Sequence, residues 1–94
     1  MKQYIVQGND SKDEILYVVK SKGANDAFQK VADLMGCHLV TLGVERGQPR
    51  HFLCCMDLTA DQVGDRIDMN ALGEHGRGVY EVTVRELVEN ANLA

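Results

Sequence analysis

The sequence predicts an α+β fold, with a single antiparallel sheet of about five strands in ββαββαβα order and helices packed mainly on one face. Three observations predict it. Apolar, strand-like segments occur in pairs joined by polar turns, a helix-like segment follows each pair, and this unit occurs twice before a last strand. The 94 residues, 45% apolar and 26% charged, have the size and composition of one folded domain, 1–94.

The first hairpin consists of "KQYIVQG" and "EILYVVKS", joined by the turn "NDSKD". The second of these strands is apolar almost throughout, so we expect it to lie nearer the centre of the sheet than the first. In "GANDAFQKVADLMG", apolar residues at helical spacing predict a helix. Its expected buried stripe is Ala27, Phe28, Val31, Leu34 and Met35. Asn25 or a neighbour is expected to cap its start, and Gly36 to end it.

The second hairpin consists of "HLVTLGVER" and "RHFLCCMDL" around the turn "GQP". Strand side chains alternate between faces, and aligning the apolar faces of the two strands defines their register. The predicted register pairs Val44 with Phe52, Leu42 with Cys54, Val40 with Met56, Thr41 with Cys55 and Glu45 with His51.

The last third of the chain predicts a helix, a strand and a short final helix. "TADQVGDRIDMNAL" begins with Thr59 and Gln62 at capping-box spacing. Its apolar stripe is Val63, Ile67 and Ala71. "VYEVTV" predicts the last strand, with Tyr80, Val82 and Val84 facing inward. "RELVENANLA" predicts the final helix.

The stretch "HFLCCMD", residues 51–57, raises the question of a metal or thiol site. Zinc needs four converging donors, but adjacent cysteines on a strand point to opposite faces, and His51 lies about 13 Å from Cys55 along the strand. No histidine, helix N-terminus or basic neighbour is placed to activate Cys55 as a nucleophile. We therefore interpret the stretch as a core strand, with metal binding and thiol chemistry as the alternatives, and expect no cofactor.

Cysteine count and charge restrict the location and the partners. The three cysteines are an odd number and two are adjacent, so we expect no disulfide framework and a reducing, cytoplasmic location. No apolar run is long enough for a membrane span. Residues 1–50 carry seven basic and six acidic side chains, whereas residues 51–94 carry three and eight. Direct nucleic-acid binding is not expected, because the only basic group, Lys20, Lys22 and Lys30, is typical of solvating charge.

Two features are candidate contact surfaces. Asp61, Asp65 and Asp68 lie at i, i+4 and i+7 of the second helix, opposite Val63, and Asp57 lies near its start. Such a stripe is either a solvated helix face or a row of carboxylates that imitates nucleic-acid phosphates and binds a basic partner surface. The candidate partner-binding residues are Asp57, Asp61, Asp65 and Asp68.

The second candidate is the glycine-rich "GEHGRG", which contains Glu74, His75 and Arg77. Its glycine spacing matches neither the phosphate loop nor the dinucleotide fingerprint. It is either a flexible connection or a loop that contacts a partner or a small ligand.

The sheet can also supply an interface. If both helices pack on the Phe52 side, the other face exposes a set that is apolar enough to suggest a homodimer or docking surface. That set is Leu39, Thr41, Gly43, Leu53 and Cys55. Edge strands can also accept a partner strand.

A small acidic α+β domain without catalytic motifs is similar in kind to the inhibitor proteins that phages and mobile elements make against host systems, such as anti-CRISPR proteins. The similarity covers size, charge and missing chemistry, and no alignable residues. We expect a non-enzymatic protein-binding module, an inhibitor or adaptor acting on a host nucleic-acid-handling complex through a basic surface of its partner. The alternative is a small-ligand-binding or regulatory domain that uses the glycine-rich loop.

Overall fold

The computed structural model describes residues 1–10, 12–43, 49–69 and 78–88, and the side chains of the second helix up to Asp65. The elements are β1 (Lys2–Asn9), β2 (Glu14–Ser21), α1 (Ala24–Met35), β3 (His38–Leu42), β4 (Arg50–Cys54), α2 (Ala60–Met69) and β5 (Val79–Leu87). The five strands form one sheet in the order β2-β1-β5-β4-β3, and every neighbouring pair is antiparallel. The predicted α+β fold with a single antiparallel five-stranded sheet is confirmed.

The main core lies between α1 and one face of the sheet. Phe28 and Val31 of α1 are buried against Tyr4, Val6 and Val82. Leu53 belongs to the same cluster. α2 covers the β3 end of the opposite face, where Val63 packs in a smaller cluster with Val40, Phe52, Cys54 and Val79.

The sheet face that we expected to be uncovered lies beneath α1. Leu53 is fully buried, and Leu39 and Cys37 pack against the same cluster. Leu53 is therefore not available for the docking surface suggested by the sequence, whereas Thr41, Gly43 and Cys55 are exposed and their role in a homodimer stays a prediction. The prediction failed because alternate residues of β4 face different helices, so that three consecutive residues, Phe52, Leu53 and Cys54, are all buried.

The strand β2 lies at an edge of the sheet, and β1 lies between β2 and β5. The predicted order of these two strands was wrong. The side chains of Leu16 and Val18 are 60% and 50% exposed, although the composition of β2 is that of a central strand.

The helix α1 begins and ends through different devices. Gly23 is its N-cap residue and makes no side-chain capping bond, so the expected cap at Asn25 or a neighbour was wrong. Instead, Asp26 Oδ2 accepts hydrogen bonds from the Ser21 hydroxyl and the Lys22 N–H. The bond from Ser21, that from Lys22 and the nearby lysine charges lower the pKa of Asp26.

At the other end, Gly36 adopts the left-handed conformation with φ 69°, as predicted. The N–H of Cys37 donates to the Ala32 carbonyl, which completes a Schellman ending. Leu34 does not belong to the buried stripe, because its side chain is 66% exposed.

The hairpin of β3 and β4 has a register four residues away from the prediction. Val40 lies opposite Phe52, rather than Met56, and Thr41 lies opposite His51. The connection spans residues 43–49 and is longer than the predicted turn. A shift by an even number keeps every side chain on its face, so Val40 and Phe52 share a face as predicted. Val44 and Glu45 lie outside the described residues.

The capping box of α2 is confirmed. The Thr59 N–H donates to Gln62 Oε1 over 2.8 Å, and the Gln62 N–H donates to Thr59 Oγ1 over 3.2 Å. The strand β5 extends to Leu87, so the predicted final helix was wrong for residues 85–87, and residues 89–94 lie outside the described part of the chain.

Candidate functional site

The first candidate site is the exposed side of α2. Val63 is fully buried, and Asp61 and Asp65 lie two residues before and after it, which at 100° per residue places both on the opposite side of the helix. Asp57 precedes the helix, and all three aspartates are exposed. We call Asp57, Asp61 and Asp65 the acidic surface.

Among the described residues, no carboxylate of the acidic surface takes part in an ion pair. Asp68 lies within α2, but its side chain is outside the described part, so its membership stays a prediction.

The start of α2 is held in place by contacts on its buried side. His38 Nε2 lies 3.1 Å from the Leu58 carbonyl oxygen, and the capping box orders the first turn. Val63 then fixes the rotation of the helix against Phe52. The acidic surface therefore lies on a helix whose position is held by hydrogen bonds and packing contacts.

The glycine-rich loop lies almost entirely outside the described residues. Glu74, His75 and Arg77 lie outside the described residues, so their role stays a prediction. Its last residue, Gly78, has φ 84°, a backbone conformation that L-residues rarely adopt. Gly78 donates its N–H to Asp10 Oδ2 over 2.9 Å, and its carbonyl oxygen accepts the Cys55 N–H over 2.8 Å.

Asp10 is a buried carboxylate that sequence reasoning missed. Its side chain is only 7% exposed. Oδ1 accepts the N–H groups of Lys12 and Asp13 over 2.7 and 2.6 Å, which closes the turn between β1 and β2, while Oδ2 accepts the Gly78 N–H. The turn sequence indicates the local bonds, since aspartate commonly accepts from residues two and three positions ahead. The bond to Gly78 requires the tertiary structure.

A disulfide joins Cys37 and Cys55, whose Cα atoms are 4.4 Å apart. The expectation of no disulfide was wrong. In the observed register His38 lies opposite Cys54, so the next position places Cys37 opposite Cys55, whereas the predicted register placed Thr41 there. With the observed loop length, the register of β3 and β4 places Cys37 opposite Cys55. Cys54 points to the other face and is buried beside Val63.

The disulfide ties the start of β3 to the segment before α2. Cys37 is half-buried and Cys55 is exposed. Paired cysteines are typical of oxidising environments, so one of the arguments for a cytoplasmic location is lost. That location stays a prediction.

His51 lies opposite Thr41 in the sheet, whereas the predicted register placed it opposite Glu45. Its ring stacks on Phe28 of α1, with centroids 4.4 Å apart, and its Nδ1 lies 3.0 Å from Thr41 Oγ1. Burial lowers the pKa of His51, because the charged imidazolium loses hydration there. The histidine therefore has a packing role between α1 and the sheet.

An open groove of about 610 Å³ lies beside the β1–β2 turn. Its lining includes Gln7, Leu16, Thr83 and Glu81. Arg50 donates two hydrogen bonds of 2.7 Å to the Glu81 carboxylate, and these bonds raise the pKa of the Arg50 guanidinium. This pairing neutralises the Glu81 carboxylate, but Glu14 also lines the groove, which is open rather than enclosed.

The groove belongs to a larger part of the sheet that no described helix covers. On the face opposite α1, the strands β2, β1 and β5 present Leu16 and Val18 with polar neighbours. The polar neighbours are Gln3, Gln7, Thr83 and Arg85. We call this region the open sheet face.

Within the described ranges, no three His, Cys, Asp or Glu side chains are grouped as metal ligands would be. Neither described helix combines the length and apolar character needed to cross a bilayer.

The chain was compared with known proteins at three levels. No protein-family model, no curated protein and no solved structure matches it.

Proposed function

We propose that this chain is a non-enzymatic protein-binding module, a small inhibitor or adaptor that places its acidic surface on a basic surface of a nucleic-acid-handling protein. The observation that supports the proposal is the exposure of Asp57, Asp61 and Asp65 without an ion pair among the described residues. Exposed carboxylates that form no ion pair with the described residues keep their charge available for an intermolecular contact.

The charge of the acidic surface would affect the rate and the selectivity of association with a partner. A row of like charges attracts a complementary surface over a distance comparable to the Debye length, about 8 Å at physiological ionic strength, and repels acidic surfaces. Basic grooves that bind nucleic-acid phosphates are surfaces of this kind. An acidic row on a fixed helix would occupy such a groove in place of nucleic acid.

The fixed position of α2 favours this function. The buried Val63 and the capping box hold the helix, so binding would not require the ordering of a disordered segment. The acidic half of the sequence, with eight acidic and three basic residues in 51–94, adds a long-range field of the same sign.

The proposal is tested by affinity capture with a triple variant, Asp57→Asn, Asp61→Asn and Asp65→Asn. Tagged wild-type protein is incubated with nuclease-treated bacterial lysate, washed at low and at high salt, and the retained proteins are identified by mass spectrometry. We expect a basic protein that the wild type retains at low salt and releases at high salt, and that the triple variant does not retain.

A matched control removes three exposed acidic charges elsewhere: Asp13→Asn, Asp33→Asn and Glu86→Gln. Its net charge equals that of the first variant, so it separates the position of the charges from their number. Thermal melts of all three proteins check the fold. If both triple variants retain the same proteins as the wild type, the acidic surface is not the binding site and the proposal is wrong.

A further inference from the structure

The strand β2 lies at an edge of the sheet, but its composition is typical of a strand that is paired on both sides. It is eight residues long, it has no proline, and its charges stand only near its ends. Natural sheets usually protect such edges with short strands, prolines, bulges or charged side chains. Glu14–Ser21 contains no proline, its pairing with β1 is continuous and has no bulge, and its charges, Glu14 and Lys20, stand only near the ends.

We infer that β2 pairs in antiparallel orientation with β2 of a second copy of this chain, so that the two sheets join into one of ten strands. The segment is self-complementary about Tyr17. With Tyr17 beside its own copy, Leu16 lies opposite Val18 of the second copy, and Ile15 lies opposite Val19. In the same register Glu14 lies opposite Lys20, and Lys20 opposite Glu14. A two-fold axis repeats each of these pairs.

Other registers lose this match. A shift of two residues in one direction places Lys20 opposite Leu16 of the second copy, and a shift in the other direction places Glu14 opposite Val18. A shift of one residue would place apolar side chains on the wrong faces. Charge and hydrophobic matching therefore select the register centred on Tyr17.

The exposure of side chains near this edge agrees with the inference. On the open sheet face, Leu16 and Val18 are 60% and 50% exposed. On the other face, Leu34 of α1 is 66% exposed and lines a shallow groove together with Val19 and Lys20. Lys30 of α1 also donates to the Lys20 carbonyl oxygen over 2.6 Å, so α1 runs close to this edge. A second copy would thus cover apolar side chains on both faces.

The test exchanges the charges of the pair. Glu14→Lys or Lys20→Glu alone places like charges opposite each other at two symmetric positions, whereas the double variant restores opposite charges at both. We expect the wild type to sediment as a dimer at low salt, each single variant to dimerise about tenfold more weakly, and the double variant to recover. Sedimentation equilibrium over a concentration series measures the constants, and circular dichroism verifies folding.

Two further variants separate edge pairing from packing of the open sheet faces. Val18→Lys lies on the edge and should abolish the dimer, while Thr83→Lys lies on the same face two strands away and should leave it intact. A monomeric wild type at every concentration overturns the inference. So does a dimer that Thr83→Lys disrupts, or one that the double charge exchange does not restore.

Discussion

The two edges of the sheet differ in almost every respect. The edge strand β3 has five residues, its neighbourhood includes both helices, and its start is tied to the segment before α2 by the Cys37–Cys55 disulfide. The edge strand β2 has eight residues and exposes Leu16 and Val18 on the open sheet face. One edge is short and is tied by a disulfide, whereas the other is long and exposes apolar side chains on the face opposite α1.

This difference teaches why the position of β2 was predicted wrongly. A strand with apolar side chains on both faces is typical of the centre of a sheet, because only there are both faces and both edges covered. In the isolated chain β2 violates that expectation. A second copy paired to its edge would remove the violation, since β2 would then have a neighbour on each side. Local patterns that disagree with the fold often mark interaction sites.

The largest expected effect comes from removing the Cys37–Cys55 disulfide at the β3 edge. In the double variant Cys37→Ser and Cys55→Ser, the chain between the two positions, 18 residues apart, gains freedom in the unfolded state. We therefore expect the unfolding free energy to fall by about 3 kcal/mol, the chain-entropy value for a loop of this length. Equilibrium urea unfolding at one fixed protein concentration measures it, because dimerisation would make stability concentration-dependent.

Reductant provides the control for this comparison. Wild-type protein in dithiothreitol should match the double variant, and the variant should not respond to reductant. Dimerisation should be unchanged, because the disulfide lies at the other edge. Equal unfolding midpoints for wild type and variant without reductant would contradict the stapling role of the disulfide.

A smaller effect is expected at the turn that leads into the β2 edge. In Asp10→Ala, the N–H groups of Lys12, Asp13 and Gly78 lose their carboxylate partner. We expect the unfolding free energy to fall by about 2 kcal/mol, since solvent can reach part of the turn but the carboxylate itself is buried. Urea unfolding measures the loss.

The matched control for Asp10 is Asp13→Ala, an exposed aspartate of the same turn. Substitutions at such positions usually change stability by less than about 0.5 kcal/mol. If the two variants lost the same stability, the contact between the turn and Gly78 would have no energetic importance.

The sequence predicted those parts of the fold that depend on local pattern. Alternation located Val82 on an inward face, Gly36 predicted the end of α1, and Thr59 with Gln62 predicted the start of α2. Helical periodicity likewise placed Asp61 and Asp65 on the exposed side of α2, so that part of the candidate site was accessible from sequence.

The remaining features depend on contacts between distant residues. Asp10 and Gly78 are 68 residues apart, and no local pattern joins them. The Cys37–Cys55 pair depended on the length of the β3–β4 connection, because a register shift of four residues separates partners that otherwise face each other. The order of strands in the sheet likewise has no signal within β2 itself.

The smallest expected effect is a pH dependence of stability from His51, which lies between α1 and β3. Burial lowers the pKa of His51, so the unfolded chain binds a proton at a higher pH than the folded chain. The stability that neutral His51 contributes is therefore present above its unfolded pKa, about 6.5, and is lost as pH falls through its folded value. Between pH 8 and pH 5, wild type should lose more unfolding free energy than His51→Gln, as measured by urea unfolding. Asp26 does not disturb this window, because its pKa is lowered and it stays ionised. The other two histidines are present in both proteins, so their effects cancel in the difference. Parallel pH profiles for the two proteins would mean that the stacked ring between Phe28 and Thr41 is not desolvated enough to couple its titration to folding.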